Sequence, residues 1–242
     1  MKTARTILST LTLPAALIAL AAAPAVAGPQ LKVKVLTPTP TLTLTRINPV
    51  IRPWLTVAES RDLTFLREEE KLARDVYLAL ERQWGLSVFG NIASSEQTHM
   101  DTVLGLLNTY GLPDPVDGQP EGVFTNTTLQ TLYAQLVAQG SQSAEDALRV
   151  GATIEDLDIS DIEEMEANTV KQDILDVYAN LTKGSRNHMR SFSGQLSALG
   201  ITYVPQFISQ EEYDEIIGTD TETGPADSGS GQGSGRGKGP SA

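Results

Sequence analysis

Along four stretches of the chain, apolar residues recur every three or four positions, and each run is broken near its middle by ionisable or polar side chains. The first runs Leu63, Leu66, Glu70, Ala73, Tyr77, Leu80, Trp84, and the second Phe89, Ile92, Glu96, His99, Val103, Leu106, Tyr110. The third runs Ala144, Leu148, Gly151, Glu155, Asp158, Ile162, Met165, and the fourth Ile174, Tyr178, Leu181, Ser185, His188, Phe192, with Gln195 and Leu199 behind. Residues three and four apart share one helix face, so each run predicts the buried seam of a helix. Carboxylates and imidazoles on such seams are costly to bury without partners. Four seams that each carry such groups point to a shared positive partner, and a metal ion is the obvious one.

The punctuation supports four helices. The first begins near 57–62 and stops at Trp84-Gly85; the second runs from about 87 to 110 and ends at Gly111-Leu112-Pro113. A long connection, 111–142, carries three prolines and a short helix at 127–139. The third helix spans about 143–166, the fourth about 168–199 before Gly200, and a short docking segment lies around 211–217. Two helical hairpins joined by a long crossover predict an all-α domain, 57–217, with the fold of a ferritin-like four-helix bundle. A domain of this length buries roughly 70% of its unfolded surface. On the first helix, Glu68 and Glu69 fall off the seam and are expected to face solvent. Centring the seam on Glu69 instead would bring Asp62 and Val76 onto it and worsen the pattern. The methionines that follow each histidine also fall off the seams.

Before this domain, residues 1–27 read as a secretory leader. Lys2 and Arg5 precede an apolar run from Leu8 to Ala23, and Ala25-Val26-Ala27 has the small-x-small form of a cleavage site, with the cut after Ala27. An uncleaved anchor is the alternative, but the run is short, broken by Thr and Pro, and followed by no stop-transfer pattern. The expected product is a secreted or periplasmic protein without stable membrane insertion. Residues 28–56 read as a Pro/Thr-rich linker with a short strand-like segment at 41–46, and 218–242 as a Gly/Ser-rich disordered tail.

The chain has 242 residues and no cysteine, which excludes a disulfide framework and any thiolate-ligated iron or zinc centre. Its net charge of −12 argues against nucleic-acid binding, which leaves a basic footprint.

The groups on the seams are Glu70, Glu96, His99, Glu155, Asp158 and His188. Glu96 and His99 are three apart and project from one helical turn, and Glu155 and Asp158 do the same. Carboxylate metal sites inside helical bundles use a carboxylate from each of two helices and a Glu-x-x-His pair from each of the other two. Four carboxylates balance two divalent cations while two neutral imidazoles donate nitrogens. Oxygen-rich sets with few nitrogens suit iron or manganese better than copper. His99 and His188 are the chain's two histidines. Asp158 is read equally well as a ligand or as the acceptor of a hydrogen bond from Arg or Ser. Arg74 is either a partner of a buried carboxylate or paired at the surface with Asp75 or Glu70. Tyr77 and Tyr178 read as core packing, with a redox role or a part in supporting the ligands as the lesser reading.

With Glu70-x-x-Ala73-Arg74-x-x-Tyr77, Glu96-x-x-His99, Glu155-x-x-Asp158 and a late His188, the chain resembles the di-iron ferritin-like proteins, rubrerythrin above all. Two segments, from Glu68 to Tyr77 and from Gly184 to Met189, look closer to an uncharacterised prokaryotic family of ferritin-like domains, domain of unknown function 2202. The resemblance covers about 57–200 and implies the fold strongly and the chemistry weakly. One departure stands out: the last helix carries Ser185-x-x-His188 where the di-iron pattern has Glu-x-x-His. Asp158 could restore the oxygen count; otherwise the centre is lopsided or holds a single divalent metal. The chain also lacks a rubredoxin-like cysteine module.

The leading expectation is an exported metal-binding protein with a di-iron or di-manganese centre, acting on O2 or peroxide or oxidising Fe(II). An external electron donor would serve any redox turnover, and a homodimer is compatible with the sequence. The alternatives are a non-catalytic metal-binding or structural bundle module, favoured by Ser185, and a cell-surface interaction domain, for which only the acidic surface and flexible ends speak. No catalytic residue and no organic cofactor site is assigned.

Overall fold

Helix starts and stops are encoded locally. Thr56 accepts a hydrogen bond from the Glu59 backbone N–H while Glu59 bonds back to the Thr56 N–H, a reciprocal cap that opens α1, Val57–Trp84. Gly85 (φ 66°) ends it, and Gly111 (φ 72°) ends α2, Ser87–Tyr110; both occupy the left-handed region that glycine adopts without strain. Asn126 caps α3, Thr127–Gly140, and Ser143 caps α4, Ala144–Glu166. Then come α5, Gln172–Ala198, and α6, Gln210–Gly218. The computed structural model describes residues 54–224. The leader, nearly all of the linker including its strand-like segment, and the tail beyond residue 224 lie outside the described residues.

The domain is all-α, with no strand among the described residues. The main pairings are α1 with α2 and α4 with α5; α1 also meets α4, α2 meets α5, α3 lies on α1 and α4, and α6 docks on α5. Helix directions follow from the core. One apolar cluster holds Leu63 and Leu66 of α1, Val103 to Leu107 of α2, Ile162 of α4 and Tyr178 of α5. The other holds Val76 and Leu80 of α1, Phe89 and Ile92 of α2, Ala147 and Leu148 of α4 and Phe192 of α5. From N- to C-terminus, α1 and α5 pass from the first cluster to the second, and α2 and α4 pass the other way. Because α2 and α4 run in parallel, the connection between them must return along the full length of the helices. Between the two clusters lies a layer of buried acids and imidazoles, one set from each long helix. No helix among the described residues is long and apolar enough to cross a membrane.

The structure corrects three expectations. Glu68 and Glu69 do not face solvent; they are 3% and 4% exposed. Asp62 and Val76 are buried as well: Asn168 of the α4–α5 connection bonds to Asp62, and Val76 belongs to the apolar cluster that takes in Leu129 of α3. Glu68 accepts hydrogen bonds from the backbone N–H groups of Thr125 (2.5 Å) and Asn126 (3.1 Å) at the start of α3. Met100 and Met189, though off the seams, are core residues. Finally, α5 starts at Gln172 rather than near 168; Asn168 lies in the preceding turn and donates its side-chain N–H to Asp62 (2.9 Å).

Candidate metal centre

The middle turns of α1, α2, α4 and α5 bring Glu70, Glu96, His99, Glu155 and His188 together, all buried. Two overlapping three-residue sets have their ligand atoms mutually close enough to hold an ion: Glu70, Glu96 and His99, and Glu96, Glu155 and His188. Glu96 belongs to both. Its Oε2 lies 2.8 Å from His99 Nδ1 and its Oε1 2.8 Å from His188 Nδ1. Glu70 Oε2 is 3.2 Å from His99 Nδ1, and Glu155 Oε2 is 3.4 Å from His188 Nδ1. Each half therefore has one terminal carboxylate and one imidazole, and the two halves share Glu96. The imidazole rings stack with centroids 5.5 Å apart.

Surrounding groups fix these side chains. His188 Nε2 sits 3.0 Å from Ser95 Oγ, which turns Nδ1 inward. His99 Nε2 packs against Gly184, where an added Cβ would come within 2.4 Å of it. The backbone of α5 can approach the ring only because residue 184 has no side chain. Tyr77, enclosed by Phe89 and Phe192, donates its hydroxyl hydrogen to Glu155 Oε1. Asp158 is buried beside the cluster but belongs to neither three-residue set, and Ser185 Oγ donates a hydrogen bond to its Oδ2. Asp158 is thus found as the acceptor of a serine hydrogen bond. Ser185 does not leave the two halves unequal, since Glu96 serves both. Arg74 donates to Asp75 (2.7 Å) and Gln97 (2.5 Å), outside the centre.

The electrostatics show how strongly the cluster wants positive charge. Burial pushes Glu70 up to about 7, against the pull of His99. Burial, then Glu70 and Glu155, raise Asp158 well above the ordinary range. Burial also raises Glu155, with Glu96 adding to it. Burial alone would lower both histidines, but Glu96 and Glu155 pull His188 up to about 10, and Glu96 and Glu70 raise His99 well above its usual value. The two imidazoles hold Glu96 below the carboxylate range in spite of its burial. Like charges this close cannot all ionise without compensation, whether from protons or from a cation.

The geometry favours a cation. Glu70 Oε1, Glu96 Oε1 and His188 Nδ1 are sealed from solvent and have no aligned hydrogen bond. Glu96 Oε1 and His188 Nδ1 lie 2.8 Å apart without the alignment of a good hydrogen bond. Native proteins rarely leave such atoms unpaired. The residues present fit a pair of divalent ions with mixed oxygen and nitrogen donors. Three contributors were not legible in the sequence: Ser95, Gly184 and the bond from Tyr77. Only Tyr77 gave a signal, its place on the seam two turns after Glu70.

An all-helical domain with a buried carboxylate–imidazole layer at mid-height defines the class of this protein. More narrowly, the chain belongs to the family described as an uncharacterized protein domain (DUF2202), which matches residues 59–220. It is 56% identical over 166 residues to the uncharacterized protein MJ0754 of Methanocaldococcus jannaschii, covering 69% of this chain and 90% of that protein. The crystal structure of hypothetical protein MJ0754 from Methanococcus jannaschii DSM 2661 is similar in fold, with a TM-score of 0.69 at 55% identity over 69% of this chain and 96% of that one.

Proposed function

We propose that the four long helices form a ferritin-like bundle whose purpose is to hold a two-metal centre on Glu70, Glu96, His99, Glu155 and His188. The observation that carries this reading is Glu96, whose two oxygens each lie 2.8 Å from a different imidazole nitrogen. A carboxylate so placed would serve both three-residue sets, with Glu70 and His99 holding one ion and Glu155 and His188 the other. Iron is the best match to the donor set, with manganese next. Bound iron would supply reduction of O2 or peroxide, or oxidation of Fe(II). The chain's own part is to orient and exclude. Ser95 Oγ, 3.0 Å from His188 Nε2, orients the ring so that Nδ1 faces the centre, Tyr77 holds one oxygen of Glu155, and the apolar clusters above and below keep bulk water away. Export through the leader at 1–27 belongs to the same reading, and an external donor would supply electrons. A binding module without turnover is the second reading; it is favoured by Ser185, which removes one carboxylate from the di-iron pattern.

Metal analysis of the purified protein should find about two equivalents of iron or manganese per chain. Glu96→Ala should lose both, whereas His188→Ala should keep one. A parent that holds less than about one equivalent after loading refutes the reading. Rapid mixing of the loaded protein with O2 then separates the two uses: an absorbance change abolished by Glu70→Ala marks an oxidase, and binding without it marks the module.

A further inference from the structure

One group of buried acids lies outside the two half-sites. Glu69 is 4% exposed, and both its carboxylate oxygens are sealed from solvent without a hydrogen-bond donor. Asp161 of α4 faces it, carboxylate to carboxylate, and the next groups that act on it are Asp158 and Glu70. The basic residues around it on α1 are committed elsewhere. Arg67 is held by Asp114, Lys71 by Asp75 and the Pro120 carbonyl, and Arg74 by Asp75 and Gln97. Asp161 is half-buried, the most exposed of these acids, whereas Asp158 is buried and interacts with Glu69 as well as with Glu70 and Glu155 of the half-sites.

We propose that Glu69 and Asp161 form a transit site for a hydrated divalent cation, Fe(II) or Mn(II), which Asp158 passes inward to the two half-sites. The inference rests on the two-metal reading of the centre. The donor types give the direction of transfer. The transit site offers carboxylate oxygens alone, which hold hard divalent ions with their waters and release them readily. Each half-site adds an imidazole, which favours a transition metal and draws it further in. The orphaned oxygens of Glu69 are the second sign of a ligand, because a carboxylate with a merely structural role would carry a donor, as Glu68 does one residue earlier.

Stopped-flow loading of the metal-free full chain with Co(II), followed by its visible absorption, tests this. Glu69→Gln and Asp161→Asn should each keep the parent's final cobalt stoichiometry while slowing its uptake about tenfold or more, the scale on which a focused negative field changes association rates. The double variant should be no slower than the slower single one, because both residues serve one route. Uptake at the parent's rate in both variants would overturn the proposal and leave the pair as two acids sharing a proton. A lowered stoichiometry at unchanged rate would overturn it too, by making Glu69 part of the centre. A parent that takes up no cobalt removes the centre itself, a separate failure that the parent alone reveals. Folding is checked by thermal melts. Glu69→Gln replaces an unbonded buried carboxyl by an amide of the same size and should melt no lower than the parent without metal, and half-buried Asp161→Asn supplies an independent second variant.

Discussion

Helix α1 buries charge on two faces, and the two are treated differently. Toward the crossover, every buried charge has an ionic or backbone partner, although Arg67, paired with Asp114, keeps its Nη1 unbonded. Glu68 takes two backbone N–H groups, and Lys71 donates to Asp75 and the Pro120 carbonyl (2.8 Å) while lying 4.4 Å above the Phe124 ring. Asp75 also accepts from Arg74 and from the Gly122 N–H (2.8 Å). Toward the helix interior, Glu69 and Glu70 keep oxygens that nothing in the protein satisfies. The first face is a clamp that fastens a proline-rich connection to a helix. The second is a set of donor atoms held open. Burial alone does not separate structural from functional charge, since both faces are nearly dry. The presence or absence of an aligned partner does.

The strongest way to break this contrast is to remove one charge from each face and compare stabilities. Asp75→Ala strips Lys71 of its counter-charge at a site 1% exposed, and should cost about 3–5 kcal/mol in denaturant unfolding. Glu155→Gln, measured without metal, removes a charge from a crowded acidic layer while preserving an acceptor for Tyr77, and should cost less than about 1 kcal/mol. Equal losses would mean that the interior face is as structural as the clamp.

Apart from the Arg74–Asp75 pair, the clamp was invisible in the sequence, and its chemistry explains why. Glu68 is answered by backbone groups 57 and 58 residues away, and a backbone N–H has no sequence signature. Asp156 is similar: fully buried, it accepts from Tyr203 Oη (2.8 Å) and from the backbone N–H groups of Gln206 (2.5 Å) and Ile208 (2.9 Å), and so fixes the segment leading to α6. The interior face was legible because its partners lie on helices with the same periodicity. Glu96 and His99 stand one turn apart on a seam, and His188 sits on another. Periodicity also located α1, α2, α3 and α4 to within a residue or so at most ends. It failed for Glu69, because a seam drawn through one helix presumes one buried face, and α1 is covered on several.

A smaller effect sharpens the comparison at a single contact. Gly184→Ala would place a Cβ 2.4 Å from His99 Nε2, so the ring must shift. Crowding destabilises by about 1–3 kcal/mol, partly offset by the better helix propensity of alanine. Metal binding should suffer more than folding does. Titration with Mn(II) should show about tenfold or greater weakening in the half built on Glu70 and His99, with the half built on Glu155 and His188 less affected. Uniform weakening of both halves would show that Gly184 packs the whole layer rather than positioning one ring.

The smallest expected effect lies at the start of α1, where Glu59 is a further clamp with a titratable centre. It accepts from the Thr56 N–H (2.7 Å), Thr169 Oγ1 (2.6 Å) and Lys171 Nζ (2.8 and 2.9 Å), and so ties the helix start to the α4–α5 connection. Burial works to raise its pKa, but Lys171, Thr169 and Thr56 together outweigh that and hold it at about 2, below the ordinary 4.5. A carboxyl depressed on folding stabilises fully above its unfolded value and loses that contribution as pH falls through the folded one. The stability gap between the parent and Glu59→Gln should therefore be constant above about pH 6, shrink below 4.5, and vanish near 2. Its plateau should be on the order of 1–2 kcal/mol, because Lys171 remains partly solvated and screens the pair. Denaturant unfolding across that range gives the profile directly. A gap that does not narrow with acid would mean that the Glu59 contacts act through shape alone, and that the charge on this clamp is incidental.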